Sequence, residues 1–466
     1  MTFIQACKSH DGLALLANEL SFSSNLGRQK LNSTKFSTHP AWLINQFALA
    51  NDVLAYQSKD SNRRNLKAIR QILHSIHDIK PTVNLLNEKA VLDDVSLFEI
   101  KALAIQVKKI KSLMTDLTNP NLQLPNLNSV ITILDPEGME TMQFYIYSSY
   151  SSVLAELRKE IANAKFQSDN SVNQNTDSSF EQLYIKASAI ENKIRASLSA
   201  QLRDYVEDLL LALDVLAELD LTLAKADLYL KWQMNQPTIS TDKVLEYNDL
   251  SYPPIAQRLQ QSGKTFQPIS ITIDQLPILI TGANMSGKSI LLKSLSFAQL
   301  SVQFGFFVAA KRATVSLVEG VMMSIGDNQD DNSGLSSFAS EILSINQMIC
   351  KAKTKKRYLI LVDELARTTN PYEGTALLKG CLNVLAQQNS LCVITTHYSV
   401  TQVVCKKLRV KGFVHQDLIP PLCIEQISER IDYSLTSDDS DKVPTEAINL
   451  AKLLSIDPDW LSESLK

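Results

Sequence analysis

The sequence has few of the features that mark secreted, membrane-spanning or disulfide-stabilised proteins. Its 466 residues include six cysteines, which are scattered and form no metal-type pair, so we expect reduced thiols. The apolar run 209–223 contains Asp214, Glu218 and Asp220, and no apolar stretch reaches the roughly 18 residues of a membrane-spanning helix. The first residues, MTFIQACKSHDG, lack the basic-then-apolar order of a secretion signal. These absences predict a cytoplasmic protein with no membrane partner.

An excess of charge of one sign is also missing. Lys and Arg number 46 against 49 Asp and Glu, which gives a formal net charge of −3. No overall basic excess therefore indicates nucleic acid, although a local basic surface is compatible with a neutral total. Hydrophobic residues at 45% and charged residues at 20% are typical of a soluble globular protein and exclude a disordered or collagen-like chain. The length predicts about three domains.

Glycine and proline, the usual helix breakers, do not occur between Gly138 and Pro237. Within this interval, apolar residues recur at steps of three and four, as in a helix packed against a partner. We predict one helix over 181–236, about 80 Å long at about 1.5 Å per residue. The polar stretch 168–179 separates it from an earlier helix that starts near Tyr150. The sequence thus predicts two long helices joined by a polar tip.

The flanking regions follow different patterns. Residues 1–120 are predicted to be mostly helical, because the segments 41–56 and 64–79 carry apolar residues at helical spacing. After Pro237, short β-branched or aliphatic runs alternate with helical patterns, which indicates a parallel sheet covered by helices on both faces. Three such runs are predicted to be buried strands, at 278–281, 358–362 and 391–396.

The sharpest motif is GANMSGKS, which starts at Gly282 and follows the predicted strand PILIT. It fits the phosphate-loop pattern G-x4-G-K-[ST], and a helical pattern follows it as that motif requires. Glycines let backbone N–H groups close around phosphate oxygens, and the helix N-terminus adds a partial positive charge. Lys288 would reach the β and γ phosphates, and the Ser289 hydroxyl would bind Mg²⁺. The motif predicts a nucleotide-binding site, with a chance Gly-rich turn as the alternative.

Two further motifs end predicted strands. The strand YLILV runs into the adjacent carboxylates Asp363 and Glu364. Asp363 can hold the magnesium shell, and Glu364 can polarise the attacking water. The strand LCVITT runs into His397, at the edge of a parallel sheet where ligands lie, so this histidine could sense the γ-phosphate. A solvated Asp-Glu pair and a structural histidine are the alternative interpretations.

Together these motifs resemble the MutS family of ABC-type ATPases. TGANMSGKS is similar to that family's TGPNMGGKST, and DELARTTNPYEG, which starts at Asp363, is similar to DEIGRGTSTYDG. TTHY, which ends at Tyr398, is similar to ATHY, and GDNQDDNSGLSSFASE, over 326–341, is similar to GAADDLASGRSTFMVE. The likeness is strong over residues 250–400 and extends weakly to the whole chain.

The resemblance implies an α/β P-loop ATPase domain with a mostly parallel sheet, preceded by an all-α core with a long helical lever pair. The expected division is 1–245 for the core and lever, with the clamp reduced to a short tip, 246–435 for the ATPase domain, and 436–466 for a helical dimerisation extension. ATP and Mg²⁺ are the implied cofactors, with Ser289 and Asp363 as metal ligands. A homodimer, or a heterodimer with a MutS-like paralogue, is the implied assembly.

The resemblance also assigns site residues by position. Phe266 matches an aromatic that stacks on adenine, with a core phenylalanine as the alternative. Ser336 and Ser337 lie in a segment that touches the γ-phosphate of the partner subunit, and an ordinary N-cap is compatible with that role. His397 matches the family's switch histidine and is expected to be catalytic together with Glu364. The remaining expected nucleotide contacts are Gly282, Ala283, Asn284, Met285, Ser286, Gly287, Lys288, Ser289 and Ile290.

Several positions depart from the family pattern. Ala283, Ser286 and Ser289 replace Pro, Gly and Thr, and each keeps the chemistry of the loop. Leu335 and Thr368 replace Arg and Gly, and they change the fine contacts expected at the dimer seam. A mismatch-repair MutS also carries an N-terminal reader domain with a Phe-x-Glu wedge, whereas this chain is expected to begin directly at the helical core.

Three functions stay open, with either DNA or a protein as the client. The first is a DNA-acting MutS homologue. Two observations argue against it: the reader domain is missing, and the tip at 168–179 contains no Lys or Arg. The second is an ATP-driven protein-remodelling factor, because 134–160 resembles a truncated MutS branch linked to reactivation of cobalamin-dependent amino acid aminomutases. The third, a degenerate ATP-binding scaffold, conflicts with the intact carboxylates and lysine. Basic runs that could contact DNA lie at 63–64, 108–111 and 351–357. Such runs usually only make a surface soluble.

Overall fold

The chain forms two compact units when it is divided by internal contacts. The helical unit consists of Ser21–Ser33 and Leu49–Ala226. The sheet unit consists of Met1–Leu20, Thr34–Ala48 and Asp227–Lys466. The structure, a computed structural model, describes residues 1–169, 177–282, 286–325, 337–366, 369–398, 400–413, 430–438, 451, 454 and 456–464.

Helices and strands follow one another in a fixed order along the chain. The α-helices are α1 (Phe3–Cys7), α2 (Asp11–Glu19), α3 (Asn25–Ser33), α4 (Pro40–Ser58), α5 (Arg63–His74), α6 (Lys80–Asn87), α7 (Asp94–Leu113), α8 (Asn128–Leu134), α9 (Ser152–Asp169), α10 (Asp177–Leu202), α11 (Val206–Trp232), α12 (Pro253–Gln261), α13 (Lys288–Gln303), α14 (Ser337–Ala352), α15 (Pro371–Leu385) and α16 (Pro458–Ser464). The strands are β1 (Thr238–Ser240), β2 (Leu245–Leu250), β3 (Ile269–Ile273), β4 (Ile278–Thr281), β5 (Arg312–Ser316), β6 (Val321–Ser324), β7 (Leu359–Val362), β8 (Leu391–Thr396), β9 (Lys406–Phe413) and β10 (Ile431–Ser437).

The helical unit has its own apolar core, and every element assigned to its described residues is helical. In α5, the buried side chains of Leu66, Ile69 and Leu73 recur at helical spacing and belong to that core. At the start of α7, the Asp93 side chain accepts a hydrogen bond of 2.8 Å from the backbone N–H of Ser96, which caps the helix. The expectation of a mostly helical N-terminal region is confirmed for these residues.

Most predicted helices are present, with changed ends. The predicted helix 41–56 lies within α4, and the helix predicted to start near Tyr150 is α9. The predicted helix 64–79 is too long, because α5 stops before Ser75. The hydroxyl of Ser75 donates to the carbonyl of Ile72 at 2.7 Å, which ends the last turn.

The prediction of a single helix over 181–236 is wrong. A three-residue 3₁₀ turn, Arg203–Tyr205, separates α10 from α11, and α11 ends at Trp232. A guanidinium nitrogen of Arg203 donates to the carbonyl of Lys89 at 3.0 Å, so the interruption is held by a contact distant in sequence. The helix changes geometry here without a glycine or proline, which is why the sequence pattern did not predict it.

A buried ion pair lies inside the helical unit. Lys101 Nζ lies 3.2 Å from Asp135 Oδ1, and both side chains are almost fully buried. The same Nζ donates to the carbonyl of Gln143 at 3.0 Å and to the hydroxyl of Tyr147 at 2.8 Å. Asp135 Oδ2 accepts from the backbone N–H of Glu140 at 2.6 Å. Burial by itself would raise the pKa of Asp135, but the Glu140 N–H and the Lys101 ammonium outweigh it and lower that pKa.

Two sheets form the framework of the sheet unit. Four strands form one sheet in the order β1-β5-β2-β3, and six form the other in the order β10-β9-β4-β8-β7-β6. In the six-stranded sheet every neighbouring pair is parallel except β9 and β10. The predicted strands are confirmed as β4, β7 and β8, next to one another in this sheet. All residues of β7 and β8 are buried, as expected for parallel strands covered on both faces.

Helix α13 is anchored at its C-terminal end. Its last residue, Gln303, is fully buried, and its Nε2 donates to the carbonyls of Ser37 and Val318, both at 2.8 Å. Gln303 Oε1 accepts from the N–H of Val318 at 3.1 Å and from Nε2 of Gln299 at 2.6 Å. Since Ser37 lies just before α4, the end of α13 is bonded to the segment that leads into that helix.

The division of the chain into two compact units does not coincide with the predicted domain boundary between residues 245 and 246. Met1–Leu20 and Thr34–Ala48 group by contacts with the residues after Asp227, although they come first in the sequence. The three-domain division stays a prediction, and the expected polar tip and dimerisation extension lie largely outside the described residues.

Other expectations concern the membrane, metal clusters and thiols. In the part of the chain that the structure describes, no helix is both long and apolar enough to cross a bilayer. Over the same residues there is no group of three or more His, Cys, Asp or Glu arranged to hold a metal. The five described cysteines are free thiols, and both the reduced state and a cytoplasmic location stay predictions.

Candidate nucleotide-binding site

Three strand ends bring predicted site residues to one edge of the six-stranded sheet. Strands β4, β8 and β7 are parallel neighbours, and their register pairs Thr281 with Thr396 and Val362 with Ile394. Their carboxyl ends therefore lie side by side, which is where ligands bind in sheets of this type. The residues that directly follow these strands are Gly282, His397 and Asp363, respectively.

The connection between β4 and α13 requires glycine at two places. Gly282 has a φ of +154°, and a Cβ there would lie 2.9 Å from Ser286 Oγ. Gly287, the N-cap of α13, has a φ of +79°, and a Cβ there would lie 2.9 Å from the ring of Tyr433. A side chain at either position would strain the backbone and crowd its neighbour. Lys288 opens α13, and its buried Nζ donates to the carbonyl of Gly282 at 2.8 Å.

Asp363 receives hydrogen bonds from two hydroxyl groups. The hydroxyl of Ser289, on the first turn of α13, donates to Asp363 Oδ2. The hydroxyl of Thr395, buried in β8, donates to Asp363 Oδ1 at 2.5 Å. Two different elements thus orient the two oxygens of one carboxylate. Ser289 and Asp363, the pair predicted as metal ligands, are in direct contact.

Glu364 has a left-handed backbone, with a φ of +50°, which is uncommon for a residue with a side chain. Its N–H donates to Thr395, at 3.2 Å to the carbonyl and 3.1 Å to the hydroxyl. Its Oε1 lies 3.5 Å from Lys288 Nζ. The carboxylate predicted to activate water and the lysine predicted to bind phosphate are therefore neighbours.

The turn after Glu364 is held by two further side chains. Ala366 also has a left-handed φ, at +61°, and its N–H donates to Oε1 of Glu341 at 2.8 Å. The hydroxyl of Tyr398 donates to the Ala366 carbonyl at 3.1 Å. Since Glu341 belongs to α14, the helix that follows segment 326–336 is bonded to the turn that carries Glu364.

His397 and Phe266 are both in the described part of the structure. His397 is exposed directly after β8, and its ring centroid lies 4.2 Å from that of Tyr398. Phe266 is half-buried in the loop before β3. The next residue, Gln267, accepts from the backbone N–H of Tyr433 at 3.0 Å, so the loop that carries Phe266 is tied to β10. The catalytic role of His397 and the adenine contact of Phe266 stay predictions.

Tyr433 is a site residue that sequence reasoning missed. Its half-buried ring packs against Gly287 of the phosphate loop. The preceding residue, Asp432, accepts from Gln267 Nε2 at 2.8 Å and from the N–H of Ser434 at 2.9 Å. Hydrogen bonds from Gln267 and then Ser434 hold the pKa of the Asp432 carboxyl well below its usual range. No local motif marks Tyr433, because it reaches the loop through the pairing of β9 with β10.

Some predicted residues cannot be placed. Ala283, Asn284, Met285 and Ser336 lie outside the described residues, as do Leu335 and Thr368. Ser337 begins α14, and Ile290 is half-buried in the first turn of α13. The roles assigned to all of them stay predictions.

The described residues fit an anionic ligand with a magnesium ion. Ser286 Oγ is buried and has no hydrogen-bond partner among the described residues, so the loop holds an unused polar group. The charged end of Lys288 and the N-terminus of α13 lie beside it and favour phosphate. The Ser289 hydroxyl and the Asp363 carboxylate are oxygen ligands of the kind that Mg²⁺ prefers.

Comparison with known proteins gives a consistent match to this region. Residues 278–434, from β4 into β10, match the family model for MutS domain V. An Endonuclease MutS2 from Leuconostoc mesenteroides is 30% identical over 218 residues, which are 47% of this chain and 26% of that protein. An Endonuclease MutS2 from Agathobacter rectalis is 29% identical over 326 residues, 68% of this chain and 40% of that protein. A DNA mismatch repair protein MutS from Staphylococcus epidermidis is 27% identical over 231 residues, 49% of this chain and 26% of that protein.

Fold and site together define a mixed α/β domain with phosphate-loop residues at the carboxyl edge of a largely parallel sheet. The matched family model covers all the strands that carry those residues. These matches support assignment of the chain to the MutS family. It spans between about a quarter and two fifths of the length of the three relatives just described.

Proposed function

We propose that this chain is a MutS-like ATPase that binds and hydrolyses ATP with Mg²⁺ and uses the cycle to change the conformation of a dimer. The observation that carries the proposal is the meeting of Lys288, Ser289, Asp363 and Glu364 at one sheet edge. Similarity to the MutS family, whose members are ATPases, supports the same conclusion.

Each of these side chains has a defined part in the proposal. Lys288 would bind the β and γ phosphates, with the N-terminus of α13 adding to the positive field. Ser289 and Asp363 would hold Mg²⁺, which offsets negative charge on the phosphate oxygens. Glu364 would orient the attacking water and accept its proton. His397, exposed at the same edge, would contact the γ-phosphate.

Removal of the Lys288 charge tests nucleotide binding. Lys288→Ala is expected to lower the affinity for a fluorescent ATP analogue by at least about tenfold, because charge-assisted hydrogen bonds to phosphate are lost. Phosphate release should fall with it. Lys293→Ala, an exposed lysine on the same helix, is the matched control and should bind as the wild type does. Equal affinity in Lys288→Ala and the wild type would contradict the proposed site.

DNA is the client that we propose first, and a basic surface on the helical unit favours it. The surface consists of Arg63, Arg64 and Lys67 on α5 with Lys109 and Lys111 on α7, all exposed. Neither 63–74 nor 101–113 contains an acidic residue. The two helices meet where the side chain of Asn65 donates to the carbonyl of Leu113 at 3.4 Å. Clustered Lys and Arg side chains of this kind suit a run of phosphates.

Charge reversal on the basic surface tests the DNA proposal. Arg64→Glu with Lys67→Glu is expected to weaken binding of a short duplex by at least about tenfold and to reduce the log–log salt slope by about 2. Lys351→Glu with Lys353→Glu, which reverses two exposed lysines in the sheet unit, is the control and should leave the slope unchanged. Duplex binding that is absent in the wild type, or indifferent to salt, would contradict the proposal.

A protein client is the second candidate, in particular an inactivated cobalamin-dependent aminomutase. The segment 134–160, whose resemblance suggested it, exposes the large apolar side chains of Met139, Met142, Tyr145 and Val153. Exposed apolar side chains suit a protein contact better than a phosphate backbone. Recovery of an aminomutase blocked by cyanocobalamin, dependent on ATP and this chain, would support this candidate. ATPase activity stimulated by DNA, with no such recovery, would count against it.

A further inference from the structure

We propose that Thr395 is a positioning residue that sets both carboxylates of the site, orienting Asp363 toward the metal position and holding the backbone of Glu364. The inference rests on the proposed function and names a residue that acts through its neighbours. Thr395 lies in β8, between the phosphate-loop strand β4 and the strand β7 that leads into the two carboxylates.

A single hydroxyl makes both contacts. Thr395 Oγ1 donates to Asp363 Oδ1 at 2.5 Å and accepts from the backbone N–H of Glu364 at 3.1 Å. A hydroxyl has one proton, so donation to Asp363 turns its lone pairs toward the N–H of Glu364. Thr395 is fully buried, so bulk water does not compete for either bond. The two hydrogen bonds therefore reinforce each other's geometry.

The Thr395 hydroxyl determines which oxygen of Asp363 is left to face the proposed metal position. Oδ1 is occupied by Thr395, and Oδ2 is the oxygen in contact with the Ser289 hydroxyl. Without the Thr395 hydroxyl, rotation of the carboxylate would no longer be limited from the β8 side. The proposed metal pair of Ser289 and Asp363 would then lose its fixed geometry.

For Glu364, the consequence concerns its backbone. A left-handed φ of +50° is unfavourable for glutamate, and bonds to the N–H of this residue are what hold it. The hydroxyl supplies one of these bonds, and the Thr395 carbonyl supplies the other. The family motif ATHY has alanine where this chain has threonine, so the hydroxyl is a feature of this sequence beyond that pattern.

The test separates magnesium dependence from nucleotide binding. A fluorescent ATP analogue is titrated onto the full chain in EDTA and then with increasing Mg²⁺, for the wild type and Thr395→Val. We expect unchanged affinity in EDTA and a Mg²⁺ midpoint raised by at least about tenfold, since a hydrogen bond to a charged group is lost. Thr395→Ser, which keeps the hydroxyl, should behave as the wild type does.

A neighbouring threonine provides the matched control. Thr396 is equally buried in β8, but its hydroxyl accepts from the N–H of Tyr398 at 3.0 Å. Thr396→Val should leave the Mg²⁺ midpoint unchanged. If Thr395→Val does not fold by circular dichroism, Thr395→Ala removes the same hydroxyl and takes its place in the experiment.

Each outcome decides one claim. A wild-type chain that binds no nucleotide would overturn the proposed function, and this inference with it. Normal wild-type binding with an unshifted Mg²⁺ midpoint in Thr395→Val would overturn this inference alone. A shift in Thr395→Ser as large as that in Thr395→Val would also overturn it, because packing and not the hydroxyl would then be responsible.

Discussion

At the scale of single residues, the candidate site depends on hydroxyl and backbone groups as much as on charged side chains. Ser289 and Thr395 hold the Asp363 carboxylate from opposite oxygens, and neither carries a charge. Gly287 contributes only a backbone, yet it brings the start of α13 against the ring of Tyr433. Close approach and fixed orientation matter here because the strength of a hydrogen bond falls steeply when its geometry is lost.

Gly287→Ala is expected to damage the site through both conformation and contact. A left-handed φ of +79° costs alanine about 1–2 kcal/mol of stability, and the new Cβ would press on Tyr433. Nucleotide affinity should fall by about tenfold or more, measured with the same fluorescent analogue. Gly138 has a similar φ of +67°, and a Cβ there would have no neighbour within 4 Å. Gly138→Ala should therefore lower stability without lowering nucleotide affinity. Loss of nucleotide affinity in both variants would contradict this account.

The charged site residues could be predicted because each sits in a continuous motif at a strand end. Lys288 follows β4 across the phosphate loop, and Asp363 and Glu364 come directly after β7, so recognition of the strands was enough to bring them together. Thr395 and Tyr433 were not predicted as contacts. Each reaches the site through strand pairing, parallel for Thr395 and antiparallel for Tyr433, and the register of such pairing is not encoded in any short stretch of sequence.

At the scale of elements, the helical unit is held by a polar network as well as by its apolar core. Lys101 on α7 and Asp135 after α8 are buried together, and Tyr147 and the Gln143 carbonyl complete the lysine's contacts. A buried charge that loses its partner is strongly destabilising, whereas an intact pair is close to neutral. This network therefore makes the packing of the 135–147 segment sensitive to single substitutions.

Lys101→Met is expected to destabilise the chain by about 3–5 kcal/mol at pH 7, because it leaves the Asp135 carboxylate buried without its partner. Urea unfolding measures the change. The folded pKa of Asp135 is lowered, so the wild-type contribution is present above the usual aspartate range and is lost as pH falls through that lowered value. The difference between variant and wild type should therefore shrink in acid.

Lys109→Met is the control for that experiment, because it removes an exposed lysine from the same helix. Its stability should stay within about 0.5 kcal/mol of the wild type. A similar loss in both variants, or a loss in Lys101→Met that does not change with pH, would argue against a buried ion pair.

Helices and strands were predicted correctly where the apolar periodicity and the turn-forming residues indicate the same element. The prediction failed where contacts distant in sequence determine where an element ends. Strands β4 and β8 have the predicted bounds, because short apolar runs flanked by turn residues are unambiguous in this region. The interruption at Arg203–Tyr205 was missed, since the apolar steps of three and four continue through it. The contact with Lys89 that holds it comes from a residue far away in the sequence.

At the scale of the whole molecule, the proposed cycle needs two chains. Segment 326–336, expected to reach the partner's nucleotide, leads into α14, and Glu341 on that helix is bonded to the turn after Glu364. A ligand that fixes the start of α14 would therefore also restrict the turn that carries Glu364, the proposed base. This connection would give the two sites of the proposed dimer a physical means of influencing each other.

Glu364→Gln is expected to bind ATP without hydrolysing it and so to hold the dimer closed. Light scattering should give about twice the mass of one chain when ATP and Mg²⁺ are present. Lys288→Ala combined with Glu364→Gln should stay at the mass seen without nucleotide, since it cannot bind the phosphates. Wild-type turnover in Glu364→Gln would refute the proposed role of this carboxylate, and a mass indifferent to ATP would refute only association driven by the nucleotide.

The anchoring of Gln303 makes α13 a rod fixed at both ends. The helix spans 16 residues, about 24 Å at about 1.5 Å per residue, from Lys288 at the phosphate loop to the Gln303 side-chain amide. A stiff helix transmits an axial displacement with little loss of amplitude. A small shift of the phosphate loop along the helix axis would then either break the four buried hydrogen bonds of the Gln303 side chain or move Ser37 as well. Breaking these hydrogen bonds would cost free energy, so a loop shift caused by the proposed nucleotide exchange would move the chain segment that enters α4.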